Sequence, residues 1–377
     1  MDKKTNEAIN KPLANQIESA QIRLYDKLVH LDIKSLNISE YNQRYLGGKI
    51  SKIKQKLSLY GKLLYFSLIN SPVSYESFVL VDYGGGSGLI SLLAIEMGIG
   101  TVIYNDIYDV SCEDVNRLSN SIGLTLDHIV CGDVDDLISY LHKNTILINA
   151  ITSYDVLEHI YDVEYHFRSL GSLSNQFRVV YGSGANIANP LYVYLVSKSH
   201  RRAEYNNREK RWGHKERDTL QSYFEIRKNM ISSYAPDLSS KKVEWLARST
   251  RGLIQHDIEK CVDEYSSKGK VTYRPDHPTN TCDPYTGNWC EHLMNFRWLA
   301  KVLKNEGFSA EIISGQYNIS GSLPVKILKL FFNVLNKVFG RRSMFAAAYY
   351  VVNADFIAEQ NTAQDGSSAT LHSIPVN

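Results

Sequence analysis

The segment Val81-Asp82-Tyr83-Gly84-Gly85-Gly86-Ser87-Gly88-Leu89 decides how this sequence reads. It follows a short apolar run, Phe78-Val79-Leu80-Val81, and precedes a stretch of helical composition from Leu89 to Met97. Strand, glycine turn and helix in that order put the turn where open α/β sheets bind ligands, at the carboxyl ends of their strands. Glycines there let the backbone take positive φ and let a ligand approach closely. The spacing is not the dinucleotide fingerprint G-x-G-x-x-G. Counted from Gly84 and Gly86, its third glycine would fall at Leu89. The pattern is instead acid-x-G-x-G-x-G, with Asp82 two residues before Gly84. A carboxylate so placed repels a pyrophosphate and suits a ligand carrying an ammonium group.

Outward from this loop the apolar runs recur. Thr101–Tyr104, His128–Cys131, Ile146–Ile148 and Phe177–Tyr181 are strand candidates, with helices expected over 109–121, 137–141 and 155–170. Alternation at this spacing indicates βαβ units and a parallel sheet covered on both faces. The pattern breaks after Asn189-Pro190 and returns at Ala310–Ile313 and Phe345–Val352. Residues 13–70 have helical spacing, with an apolar stripe of Leu57, Leu59, Leu63, Leu64, Phe66 and Leu68. The expected division is a helical extension over 1–75, a ligand-binding core over 76–189, a mostly helical insertion over 190–290, the end of the core over 291–355, and a disordered polar tail over 356–377.

Two more acids end strands. Asp106 closes the second, where a carboxylate can accept from both ribose hydroxyls; Asp133 closes the third, where it can accept from an adenine amino group. Three strand-end acids and a tight glycine turn describe a pocket for a cationic nucleoside, and this resembles the class I S-adenosylmethionine-dependent methyltransferases. Asp155-Val156-Leu157-Glu158-His159-Ile160 looks like the D-V-L-E-H segment of quinone, lipid and cell-surface glycan methyltransferases. Glu291-His292-Leu293, followed by Phe296, Leu299, Leu303, Gly307 and Phe308, is similar to a segment near the end of such enzymes. The matches cover roughly 76–185 and 291–353. The resemblance implies a Rossmann-like seven-stranded α/β sheet and S-adenosyl-L-methionine as cofactor. The amino acid part would be held by Asp82, Gly84, Gly86 and Gly88, and the nucleoside by Asp106, Ile107, Asp133 and Val134. Ser153 and Tyr154 would line the same site because they follow the fourth strand.

The implied activity is methyl transfer to a small molecule, glycan or lipid-linked acceptor, on oxygen in preference to nitrogen or carbon. RNA or protein methylation, and a non-catalytic cofactor-fold binding protein, are the alternatives. A hydroxyl acceptor needs a base. His159, on the segment opening beside the cofactor's methyl end, is the first candidate and His292 the second; each also reads as a structural histidine. A long insertion in a compact domain is often a lid or binding segment, so Arg211, His214, Tyr285 and Trp289 are expected to line the acceptor. His277, Cys282, Cys290 and His292 do not have zinc-ligand spacing, and no metal is expected.

Composition sets the outer limits. The chain has 377 residues, 42 Lys+Arg against 40 Asp+Glu, and a formal charge of +2. That excludes a basic nucleic-acid coat and an acidic solvating chain. DNA is not an expected partner, RNA is disfavoured, and the oligomeric state is not readable. Five scattered cysteines do not form a disulfide framework. Without an apolar leader or a run of about 18 apolar residues, the expected location is cytoplasmic. The exception is 323–342, which carries Lys326, Lys329, Lys337, Arg341 and Arg342 and no acid. An apolar helix with a basic polar face can lie in a membrane interface, making peripheral membrane contact an option. So wide an apolar arc more often belongs to a helix packed on a core, here the sheet.

Overall fold

The computed structural model describes residues 3–47, 52–210, 215 and 219–358. Three helices come first: α1 (Lys3–Val29), α2 (Glu40–Gly47) and α3 (Ile53–Leu68). Strand and helix then alternate through β1 (Val79–Tyr83), α4 (Leu89–Met97), β2 (Thr101–Asp106), α5 (Asp109–Ser121), β3 (His128–Cys131), α6 (Val134–Lys143), β4 (Ala150–Tyr154), α7 (Val163–Leu170) and β5 (Gln176–Ser183). Four helices form the insertion: α8 (Pro190–Tyr205), α9 (Tyr223–Tyr234), α10 (Ser240–Ser249) and α11 (Gln255–Lys268). The chain returns through α12 (Phe296–Asn305), β6 (Phe308–Ser314), α13 (Leu323–Phe339) and β7 (Tyr350–Ile357).

The seven strands form one sheet in the order β3-β2-β1-β4-β5-β7-β6. β1 to β5 pair in parallel, and β7 runs antiparallel to both β5 and β6. This is the Rossmann-like α/β sheet expected from the sequence. The order reverses at β1, which lies between β2 and β4, so a crevice opens there at the carboxyl edge. One face is covered by α1, α3, α4 and α5 through Leu24, Leu57, Leu63, Leu64, Leu92 and Val115. The other is covered by α6, α7 and α12 through Leu137, Leu141, Phe167, Leu299 and Leu303. The N-terminal helices are thus part of the main core.

Three boundaries differ from the sequence reading. Ile146–Ile148 is not the fourth strand: Leu147 is 71% exposed, and the chain runs through a left-handed Thr145 (φ 54°) before β4 begins at Ala150. The run misled because the true strand carries Thr152 and Ser153; Thr152 meets Ser67 of α3 in a buried hydroxyl pair at 2.7 Å. The helix expected over 155–170 is broken. Asp155 is left-handed (φ 57°), 157–159 form a single 3-10 turn, and Asp162 caps α7 by accepting from Tyr165 N at 2.8 Å. The last strand begins at Tyr350 because 340–346 form a 3-10 turn that leaves Phe345 exposed. Phe356 and Ile357 of the expected tail belong to β7, and 359–377 lie outside the described residues. Cys112 and Cys131 are joined as a disulfide between α5 and β3, which their spacing did not signal. α13, expected to pack on the sheet, instead turns its apolar side to solvent.

The insertion has its own small core of Phe224, Ile231, Leu246, Ile258 and Val262. α8 is tied to it by a fully buried ion pair between Glu204 and Arg227. Glu204 also meets Arg251 at 3.1 Å and accepts from Thr281 Oγ1 at 2.7 Å, while Arg227 Nε donates to the Ala247 carbonyl at 2.9 Å. Breaking a buried pair strands its partner in a low-dielectric site. Arg227→Met should therefore destabilise the protein by about 3 kcal/mol, because Arg251 relieves part of the loss. Urea unfolding with an unchanged midpoint would contradict this.

Candidate functional site

The carboxyl edge of β1 turns into the glycine loop, with Gly84, Gly86 and Gly88 all at positive φ (65°, 54° and 73°). Two of these positions show why. A Cβ on Gly84 would come within 2.5 Å of Val156 Cγ2, so this glycine lets the loop lie against the segment after β4. A Cβ on Gly86 would meet nothing within 4 Å, so this glycine faces open space. That space is a cavity of about 450 Å³ whose lining includes Asp82, the loop, Asp106, Ile107, Tyr154, Asp155, His159 and Glu291. A second cavity of about 500 Å³ is lined by Tyr83, Gly132, Asp133, Val134, Tyr161, Tyr223, Trp289 and others. Gly84, Ile107, Val156, His159 and Asn288 line both, so the two adjoin over the crevice at β1.

Asp106 organises the loop. Its Oδ2 accepts from Gly86 N at 2.8 Å and its Oδ1 from Tyr108 N at 2.8 Å. A carboxylate has about four acceptor sites, so Asp106 retains capacity toward the cavity. Asp82 is fully buried, and its Oδ2 accepts from Ser91 N (2.9 Å) and Ser91 Oγ (2.7 Å) in the first turns of α4. Its Oδ1 has no hydrogen-bond partner among the described residues. Burial pushes the Asp82 carboxyl up to about 7, against the Ser91 hydrogen bonds and with a further push from Asp106. Asp133 caps α6, accepting from Asp135 N at 2.9 Å and Asp136 N at 3.3 Å. Its position beside the second cavity therefore also has a helix-capping reason. Ser153 is buried in β4 and lines neither cavity.

His159 stands where the cavities meet, and its Nδ1 lies 2.8 Å from the Trp289 carbonyl oxygen. A carbonyl only accepts, so Nδ1 carries the hydrogen and Nε2 of the neutral ring keeps its lone pair. Asp155 accepts from Gly184 N at 3.3 Å. Its carboxyl is pushed up to about 6 by burial and by Glu291, with His159 acting in the opposite sense. Glu158, fully buried, is raised well above the usual range by burial, Asp155 and Glu291. Glu291 is held by Tyr192, whose hydroxyl donates to Oε2 at 3.0 Å, and by His200 Nε2, 3.1 Å from the Glu291 carbonyl oxygen.

His292 is placed elsewhere. It stacks on the far side of Trp289 (ring centroids 4.1 Å apart) and lines a third cavity with Asp276 and Trp298. Burial lowers it to about 3. Trp289 stacks with both His292 and Tyr161 and lines that cavity as well as the second. Tyr285 is 62% exposed and lines none of these cavities. Arg211 and His214 lie outside the described residues. Of the same basic run, Lys215 does line the first cavity, with Nζ 4.6 Å from the Tyr41 ring centroid and 5.0 Å from that of Tyr108. Among the described residues no group of three carboxylate, thiol or imidazole side chains could hold a metal ion.

Residues not anticipated complete the first cavity: Tyr41, Asn42 and Tyr45 on α2 and Tyr60 on α3. For Tyr41 and Tyr45 a signal was available, since residues four apart on a helix share a face. Asp155 and Glu291 were read only as parts of motifs, although each carries a left-handed backbone (φ 57° and 60°) at the cavity wall.

No family model matches the sequence, and no curated protein matches it. Among solved structures the chain is similar to a SAM-dependent methyltransferase from Archaeoglobus fulgidus, with 13% identity over 82% of this chain and 99% of that one, TM-score 0.36. It is similar to an S-adenosylmethionine-dependent methyltransferase from Mesorhizobium loti (14% identity, 78% and 95% covered, TM-score 0.35). It is also similar to the geranyl diphosphate C-methyltransferase of Streptomyces coelicolor, solved with S-adenosyl-L-homocysteine (12% identity, 83% and 81% covered, TM-score 0.39). These are likenesses of fold, too distant to speak to activity.

The state of Asp82 has a measurable consequence in the protein alone. Folding raises its pKa from 3.8 to about 7, so between those values the native chain holds a proton that the unfolded chain has released. Stability from this group therefore falls as pH rises through that window. Asp82→Asn keeps an acceptor for Ser91 and removes the titration, so its melting temperature should decline less than the parent's between about pH 5 and pH 8. Parallel melting curves for the two proteins would refute the assignment.

Proposed function

We propose that this protein is an S-adenosyl-L-methionine-dependent methyltransferase acting on a small-molecule, glycan or lipid-linked acceptor, with oxygen as the methylated atom. One observation carries the reading: a buried, half-unpartnered carboxylate (Asp82) and a loop-organising carboxylate (Asp106) flank an open glycine cradle at the sheet's switch point. Anionic groups around an open glycine loop suit a ligand that is cationic at one end and hydroxylated elsewhere. The fit is therefore good. Asp82, Gly84, Gly86 and Gly88 would hold the amino acid part, Asp106 and Ile107 the ribose, and Asp133 and Val134 the adenine. Tyr154 would close the methyl end, and Ser153 would act from behind the wall.

The bound cofactor supplies an electrophilic methyl group on a sulfonium. The chain's task is then to orient the acceptor and remove its proton; orientation alone can supply about 7–11 kcal/mol of a barrier. His159 is the proposed base. The Trp289 carbonyl fixes its tautomer and aims the Nε2 lone pair away from that contact. Asp155, which interacts electrostatically with His159 from just before its turn, stabilises the imidazolium that forms once the acceptor hydroxyl has given up its proton. Trp289 contributes through its carbonyl and as the wall of the second cavity. His292, which stacks on Trp289, is assigned in this reading the role of supporting that ring.

Mass spectrometry of a metabolite extract incubated with the protein and labelled cofactor should show one labelled product class. Cofactor binding with no label transferred would mean a binding protein instead. Asp106→Ala should weaken cofactor affinity by about 1–3 kcal/mol, read by calorimetry; unchanged affinity in both Asp106→Ala and Asp82→Ala would end the reading. His159→Ala should slow turnover on a hydroxyl acceptor by about 10²–10⁴-fold, with cofactor affinity within about twofold. Normal turnover in that variant would remove His159 as base.

A further inference from the structure

The helix α13 is built inside out. Its polar stripe faces the protein: Asn333 Oδ1 accepts from Tyr317 N at 2.7 Å, and Asn333 Nδ2 donates to the Tyr317 carbonyl at 2.8 Å. Asn336, the helix's buried residue, donates to the Ala346 carbonyl at 3.0 Å, and Lys329 Nζ donates to the Ser320 carbonyl at 3.0 Å. The apolar arc faces outward. Leu323, Ile327, Leu328, Phe331, Val334 and Val338 are all more than half exposed. Leu323, Pro324, Ile327, Leu328 and Phe331 together form an apolar hollow. Contiguous exposed apolar surface of this kind marks an interaction site.

We infer that α13 docks this protein on the surface of an anionic phospholipid bilayer, lying in the interface with its apolar arc in the acyl boundary. The charges select that occupant. Lys326, Lys337 and Arg342 are exposed on or beside the helix, and no acid occurs anywhere in 323–342. A two-fold contact between copies sets the same patch against itself, which here would press like charges together with nothing to neutralise them. Anionic headgroups neutralise them all. Length agrees as well: 17 residues make a helix of about 25 Å, and no described helix is long and apolar enough to cross a membrane. A basic amphipathic helix that lies in the interface meets both conditions.

The position of α13 gives the docking a direction. β5 and β6 both run antiparallel to β7, hence parallel to each other, and α13 leaves the sheet from the end of β6. That is the carboxyl edge, where the cavities open. The tether is short: Asn189 Nδ2 donates to both the Ala347 carbonyl and the Tyr317 hydroxyl at 3.0 Å, and Tyr349 sits edge-on to Tyr154 of the first cavity, 6.3 Å between centroids. A bilayer under α13 is therefore on the cavity side of the sheet.

The test is vesicle flotation with the full chain and no cofactor, so its outcome is independent of methyl transfer. The protein should float with vesicles of equimolar phosphatidylcholine and phosphatidylglycerol at least about tenfold more tightly than with phosphatidylcholine alone. The double variant Ile327→Asp, Phe331→Asp should lose this binding with no fall in melting temperature, since both side chains already lie in solvent. Lys326→Gln, Lys337→Gln and Arg342→Gln should each weaken it by about fivefold, the effect of one basic residue at an anionic surface. Failure to float, equal binding to both vesicles, or binding that survives the double variant would overturn the inference. So would a dimer, seen by light scattering, that the double variant dissolves while vesicles are ignored.

Discussion

The contact between the Asp106 carboxylate and the Gly86 N–H is the point on which the site is hung. It joins the end of β2 to the loop after β1 across the place where strand order reverses. The same carboxylate also fixes Tyr108, the first residue past the turn into α5. The loop thus has a defined shape without any ligand: glycine permits the left-handed turn, and the acid holds the N–H of Gly86 itself. Asp82 does the complementary work on the α4 side through Ser91. Both acids need the sheet to bring them together, and the sheet needs the glycines to let the chain leave β1 without collision.

Asp82, Asp106, Asp155, Glu158 and Glu291 also set an electrostatic pattern. All lie at or beneath one cavity, and burial raises Asp82, Asp155 and Glu158 together. Desolvation disfavours the charged form of each and their mutual repulsion adds to it. Such a wall is destabilised in isolation and relieved by positive charge. Lys56 and Lys215 supply part of that relief from within the chain, Lys56 by acting on Asp155 and Lys215 by lining the cavity.

How much of this was legible follows residue by residue. The glycine loop and the strand-end acids could be read because their spacing is local: a turn and two carboxyl ends, each within a few residues of an apolar run. The parallel sheet followed from the alternation. β4 was missed because a central strand tucked under a helix can carry Thr152 and Ser153 where hydroxyl pairing replaces apolar packing. The position of His292 was not legible because sequence cannot show which ring it will stack on. Tyr60 and Glu291 reach the cavity from elements far apart in the chain, and no periodicity announces that. The helix over 323–339 was recognised as a helix, but its orientation was decided by Asn333 and Asn336 finding backbone partners, which an apolar count does not register.

The reversed strand β7 carries a consequence for how the molecule assembles. It lies between β5 and β6, and its pairing Gln176↔Ile357 joins positions separated by the insertion, α12, β6 and α13. Until those segments have been made and gathered, β5 presents an open edge able to pair with other chains. Closing so long a loop adds little to the equilibrium, because the entropic penalty grows only with the logarithm of length. It adds much to the time required, since long-range pairings are the slow ones. The insertion within that interval has a small core of its own. A fold whose last strand lies between two others is therefore most exposed to edge pairing before that strand is in place.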